Sequence, residues 1–184
     1  TYRIYYGNSS ASLPAASDTL GAQNVWNSNY LAVYHMNDSS GAIADSTANG
    51  NDGTANGDPT YQQTGKVGQT INFDGTGDYF DLFNPYSGEN AATFQAWINT
   101  DSTSEDRDVL TNWGGTDENF YTWYDIGNTR MQTIWKGTST DINLNGSDIS
   151  TNTWIHYVTT YERNASAYQY QDSTQTASET VGDE

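Results

Sequence analysis

No cysteine occurs among the 184 residues, so neither disulfides nor thiol chemistry can hold or operate this chain, and packing must stabilise it. Basic side chains are almost as scarce: six Lys and Arg stand against 23 Asp and Glu, a net charge of -17. A partner gripped through phosphates needs clustered cations, so nucleic acid is excluded as a ligand class. Lys66 and Lys136 are the only lysines. An acidic surface of this kind keeps a chain soluble and attracts cations, and it suits a saline setting as well as an ordinary secreted one. No apolar run approaches the ~20 residues that span a bilayer, and no leader peptide opens the chain, which reads as a piece excised from something longer.

Apolar stripes at helical spacing are missing too. What is present is a succession of short β-type segments: 30–36, 70–73, 79–83, 93–99, 109–113, 120–126, 131–135, 141–144, 154–161 and 167–171. Turn residues separate them, the pattern of an all-β, antiparallel β-sandwich or barrel. Alternation within 93–99 sets Phe94, Ala96 and Ile98 on one face, toward a core, and Thr93, Gln95, Trp97 and Asn99 on the other. In 154–161 both faces are aromatic or β-branched, so periodicity leaves the inner one open. Tyr2 to Tyr6 reads as a further strand, residues 11–28 as a connector with one weak helical turn near Asp18 to Ala22, and the last dozen residues as a tail with little to bury.

The run Asp45-Ser46-Thr47-Ala48-Asn49-Gly50-Asn51-Asp52-Gly53-Thr54, then Gly65-Lys66-Val67-Gly68-Gln69-Thr70-Ile71-Asn72-Phe73-Asp74-Gly75 and Asp78-Tyr79, resembles the laminin-G-like, concanavalin-A-like jelly-roll modules of bacterial and archaeal surface proteins. Ala92 to Ile98 resembles their next core strand, Trp154 to Val158 a later one, and Tyr170-Gln171-Asp172-Ser173 the place of a Tyr-Val-Asp-Gly, with Ser173 for the Gly. The likeness covers about residues 29–178. It implies a jelly-roll β-sandwich over 29–184, preceded at 1–28 by a connector and the tail of a small β domain. Such modules usually end in one or two further strands, and nothing after Ser173 resembles them, so the sandwich is expected to lack its C-terminal strands and either to show an open edge or to have it filled by another chain or segment, for which Tyr2 to Tyr6 is a candidate.

Three kinds of chemistry are candidates. Asp45, with Asp74 and Asp78 bracketing a Gly-Thr-Gly turn, could supply oxygens to Ca²⁺, which members of the resembled family often bind; the alternative is that these carboxylates cap Asx-turns and face solvent. Catalysis has little to draw on. The Glu-x-Asp-x-x-Glu set of related glycosidases is absent, Glu105-Asp106-Arg107-Asp108 reads as a solvated loop, and His35 and His156 read as strand residues rather than bases. The chain is therefore expected to be non-enzymatic.

Carbohydrate recognition is the third. Sugars stack apolar faces on flat rings and offer hydroxyls to amides and carboxylates. Trp113, Tyr121, Trp123, Tyr124 and Trp135 lie in one block, interleaved with Asp117, Asn119, Asp125, Asn128 and Arg130, although rings in so small a sandwich also fill cores. Trp113, before Gly114-Gly115, is the expected exposed platform. Sequons at Asn8, Asn37, Asn145 and Asn164 fit an extracellular or cell-surface location, and the expected partner is a glycan or another surface molecule; a spacer without ligand is the rival.

Overall fold

The computed structural model describes residues 9–10, 12–19, 21–83, 90–101, 106–112, 120–125, 127–136 and 141–182. It is all-β and antiparallel, as expected, with twelve strands and one short 3₁₀ turn at Ala22–Val25. The chain divides into two compact units, Thr1–Phe83 and Asn84–Glu184, a boundary that differs from the expected one after residue 28. The reason lies in the pairing: the first four strands pair only with one another, and so do the last eight. Tyr2 to Tyr6 lie outside the described residues.

The first unit holds β1 (Thr54–Asn56) paired with β4 (Tyr79–Asp81), and β2 (Thr60–Thr64) paired with β3 (Gln69–Asn72). The expected strand at 30–36 is reduced to one bridge, Tyr34 to Asp45, because Asn and Asp side chains take up the backbone groups there. Ile43 and Ile71 are buried, and Phe80 meets Phe73 and Tyr61 edge-on. Gly53 sits against this packing: a Cβ there would stand 2.7 Å from Ile43 and 2.6 Å from Leu82.

The second unit is a sandwich of two four-stranded sheets. One has the order β12 (Thr174–Thr180), β11 (Ser166–Gln171), β10 (Ile155–Glu162), β5 (Ala91–Ile98); the other runs β6 (Arg107–Thr111), β7 (Phe120–Asp125), β8 (Arg130–Trp135), β9 (Ile142–Asp148). Phe94, Ala96 and Ile98 point inward as the alternation predicts, and Phe94 packs against both core clusters. The register left open in β10 resolves to Ile155, Tyr157, Thr159 and Tyr161 on the inner face. Phe120, Trp135, Ile142 and Leu144 of one sheet pack with Tyr161 and Ala167 of the other.

Hydroxyls thread this apolar layer. Thr133 bonds Thr122 at 3.2 Å and makes a very short contact to the Tyr157 hydroxyl, while Trp135 Nε1 donates to Thr159 at 3.2 Å. Burial pushes the Tyr157 phenol up to about 12, against opposing hydrogen bonds with Thr122 and Thr133. It stays protonated and remains a donor or acceptor to its neighbours.

The C-terminal segment is the main correction. Residues 174–180 form β12, paired to β11, and Val181 closes into the core at 2% exposure. A dozen polar residues need little burial of their own when the ladder satisfies their backbone and one valine anchors the end. Asp172 and Ser173, at φ 47° and 69°, make the two-residue turn that joins these strands. Left-handed geometry at both positions favours Asn-Gly or Asp-Gly, so Ser173 carries a steric cost.

The exposed flank of β9 is met by side chains. The Gln171 amide accepts from Ser147 N at 3.1 Å and donates to Ser147 O at 3.2 Å, while Glu179 accepts from Asn143 N at 2.8 Å. Buried Gln169 donates to Met131 O at 3.0 Å, passing over Gly146, where a Cβ would stand 1.9 Å from its Nε2. Gly146 and Ser147 together oppose Met131 in a bulge.

Ser173→Gly should raise the unfolding free energy by about 0.5–1 kcal/mol by relieving the left-handed serine. Urea denaturation of the two proteins measures it, and no gain would mean that the turn is unstrained. Gly146→Ala should cost about 2–3 kcal/mol, because Gln169 must abandon its buried bond or the bulge must open; an unchanged urea midpoint would contradict that.

Candidate functional site

Strand alternation sorts the aromatic block. In β7, Phe120, Thr122 and Tyr124 face the core while Tyr121, Trp123 and Asp125 face out; in β8, Met131, Thr133 and Trp135 face in while Arg130, Gln132 and Ile134 face out. Tyr124 and Trp135, at 1% and 2% exposure, are corrected to core residues: no sugar can stack on rings sealed between two sheets. Trp135 instead stacks on Tyr161 with centroids 5.3 Å apart. Trp113 and Gly114-Gly115 lie outside the described residues.

Tyr121 and Trp123 remain, brought to one face about 7 Å apart along the strand. Antiparallel register sets their neighbours. Thr111, Tyr121, Ile134 and Asn143 form one row across β6 to β9, and Asp108, Trp123, Gln132 and Asn145 form the next. A third row reads Asp125, Arg130, Asp148. Directly opposed residues share a sheet face, so two partly exposed rings lie among amides, a threonine and carboxylates.

Asp108 belongs to this face because Arg107 and Asp108 open β6 rather than sitting in the expected loop. Its carboxyl is exposed, yet partial desolvation beside the sheet and then the charge of Asp106 raise its pKa from the ordinary value. Lys136, at the Tyr121 end, is ion-paired with Asp141, whose carboxylate pushes the ammonium pKa up. Asp125 accepts from Gly127 N at 2.9 Å and from the Asn128 amide at 2.7 Å, which shapes the turn from β7 to β8. Gln132, Asn143, Asn145 and Asp108 escaped the sequence reading. Polar residues in a strand gain meaning only once register sets them beside a ring.

The three expected calcium ligands accept hydrogen bonds within their loops. Asp45, 8% exposed, accepts from Val33 N at 3.0 Å, Thr47 N at 2.9 Å, Thr47 Oγ1 at 2.7 Å and Asn51 N at 3.0 Å. Asp78 accepts from Asp58 N at 2.7 Å and Asp74 N at 3.1 Å, and Asp74 accepts from Thr76 N at 2.6 Å. Their oxygens brace loops, and among the described residues no three acidic or histidine side chains gather as a metal-ligating group. Burial opposes ionisation of Asp45, yet the bonds from Thr47, Val33 and Asn51 outweigh it and hold the carboxyl below its usual range. The nearby Tyr34 phenol is pushed up to about 12 by burial and by Asp45 and Asp52.

Each histidine packs against a tryptophan. His35 is exposed beside Trp26 outside any strand, a correction to its expected place, and His156 lies on the outer face of β10 against Trp97, with ring centroids 5.0 Å apart. Among the described residues no helix is long and apolar enough to cross a membrane.

A family model described as the concanavalin A-like lectin/glucanases superfamily matches residues 74–184, more than half of the chain and all of the second unit. The chain belongs to this superfamily. The match agrees with the two-sheet sandwich, and it supports a carbohydrate-binding or structural module. Searches of curated proteins and of solved structures returned no match. Within the concanavalin A-like unit, the Tyr121 and Trp123 face sets two partly exposed rings in register with amides and carboxylates.

Asp45→Ala should destabilise the first unit by about 2–4 kcal/mol, since three backbone donors and one hydroxyl lose a buried acceptor. Because folding lowers the Asp45 pKa, its contribution is complete above the ordinary carboxylate range and fades as pH falls through the lower folded value. A chemical-denaturation series from neutral to acid pH checks both. Wild type and Asp45→Ala should converge in stability at low pH, and a constant gap would refute the linkage.

Proposed function

We propose that this chain is a non-catalytic glycan-recognition module of a secreted or cell-surface protein, serving adhesion. The observation that carries the reading is the outer face of β6 to β9, where Tyr121 and Trp123 lie in register with Gln132, Asn143, Asn145 and Asp108. Rings supply the stacking surface and shed ordered water from the apolar face of a sugar, while amides and carboxylates at their sides accept and donate to its hydroxyls. A short oligosaccharide lying along β7 would cover both rings. Superfamily membership supports a carbohydrate-binding or structural role, and the register of both rings with amides and carboxylates favours the first.

The reading is non-catalytic for a chemical reason. Hydrolysis of a glycoside needs an acid and a second carboxylate placed on either side of one bond. On this face Asp125 is engaged by Gly127 and Asn128, Asp148 lies across Arg130 from it, and Asp108 is the described carboxylate that stands in the row of Trp123.

A glycan array, followed by calorimetry on the best ligand, tests the proposal. Trp123→Ala should weaken binding at least about tenfold, roughly 1.4 kcal/mol, and Tyr121→Ala should act in the same direction. Trp97→Ala, on the outer face of the other sheet, should bind as wild type. Silence across a broad panel, or equal losses for Trp97 and Trp123, would favour the spacer; release of reducing sugar would make it an enzyme.

A further inference from the structure

We infer that the β6 to β9 face selects glycans that carry no acidic groups, and rejects sulfated and uronate polymers, with Asp108 as its main determinant. The inference rests on the proposal that this face binds glycan and adds the chemical class of the ligand. Four carboxylates, Asp108, Asp125, Asp141 and Asp148, share the face with two described bases, Arg130 and Lys136.

Neither base shares the row of Trp123. Lys136 is ion-paired with Asp141, and Arg130 stands between Asp125 and Asp148 in register. Asp108 is different: it is exposed, directly across from Trp123, and no basic residue opposes it in that row. A sugar stacked on Trp123 would set its substituents against this carboxylate. A hydroxyl there donates a charge-assisted hydrogen bond. A sulfate or carboxylate there meets a like charge and strips water from both, with no cation in that row to compensate. Asp106, whose charge Asp108 already feels, deepens the negative potential, as does the net charge of -17.

The experiment uses the 184-residue chain and calorimetry with length-matched hexasaccharides: cellohexaose and laminarihexaose as neutral probes, hexaguluronate and a heparin-derived hexasaccharide as anionic ones. At low salt, wild type should bind a neutral probe at least about tenfold tighter than either anionic one, and the gap should narrow as salt is raised, since screening acts only on the charged pair. Asp108→Lys should shift the neutral-to-anionic affinity ratio toward the anionic probes by about tenfold or more. The salt series needs no variant, so a misfolded Asp108→Lys protein leaves the inference testable. Anionic probes binding as tightly as neutral ones, or a ratio indifferent to salt, would overturn the charge selection while leaving glycan recognition standing. No binding of any hexasaccharide, with silence on the broader array, would remove both.

Discussion

The second unit depends on a polar tie through an apolar layer. Thr122 and Thr133 on β7 and β8 reach Tyr157 on β10, and Trp135 reaches Thr159 one layer along, so each sheet holds a hydrogen-bond partner of the other. Such bonds add modest net stability, but breaking one leaves a buried hydroxyl or indole without a partner, which costs more than the bond contributes. A slip of one residue in β7 or β8 would break them and turn Tyr124 and Trp135 out of the core. The register that seals those two rings therefore also puts Tyr121 and Trp123 on the open face. Platform and core are consequences of one alternation.

A second constraint acts at the flank. β9 is an end strand of its sheet, with backbone groups pointing past the sandwich. Gln171 supplies a donor and an acceptor to Ser147, as another strand would, and Glu179 caps Asn143 N. These side chains belong to β11 and β12, so the C-terminal hairpin secures the sheet that carries the candidate site without contributing to it. Gly146 clears the path of Gln169. The unsatisfied edge expected from the sequence is thus met by amide and carboxylate side chains along this part of β9, which is how an edge is blunted without another strand.

Much of this fold was legible. Alternation in β5 assigned Phe94, Ala96 and Ile98 to the core, and the order of the motifs indicated the jelly-roll family. The failures have physical causes. β7 and β8 carry threonines on the buried face, so polarity could not tell inside from outside, and the network that makes buried threonine acceptable joins residues far apart in the chain. β12 reads as a polar tail because its stabilisation comes from pairing with β11 and from two small apolar contacts, Ala177 and Val181. The strand expected at 30–36 fails for the opposite reason: Asn49 and Asn51 take the carbonyls of Tyr30 and Leu31, and Asp45 takes Val33 N, before a ladder can form.

The same reasoning separates the acidic residues by use. Asp45 is ionised in a buried position because four donors surround it, and that arrangement leaves it little capacity for a metal. Asp78 accepts turn amides with both oxygens and Asp74 with Oδ1. Asp108 has the converse environment, an exposed carboxyl at the start of an edge strand whose pKa is raised rather than lowered. A carboxylate wrapped in backbone donors is a structural brace. One held at higher energy beside an aromatic ring has more to gain from an incoming hydroxyl donor, because an added hydrogen bond relieves a charge the fold has left poorly compensated. That asymmetry, together with its place across from Trp123, is the physical basis of the role proposed for Asp108, which the self-satisfied Asp45 loop does not share.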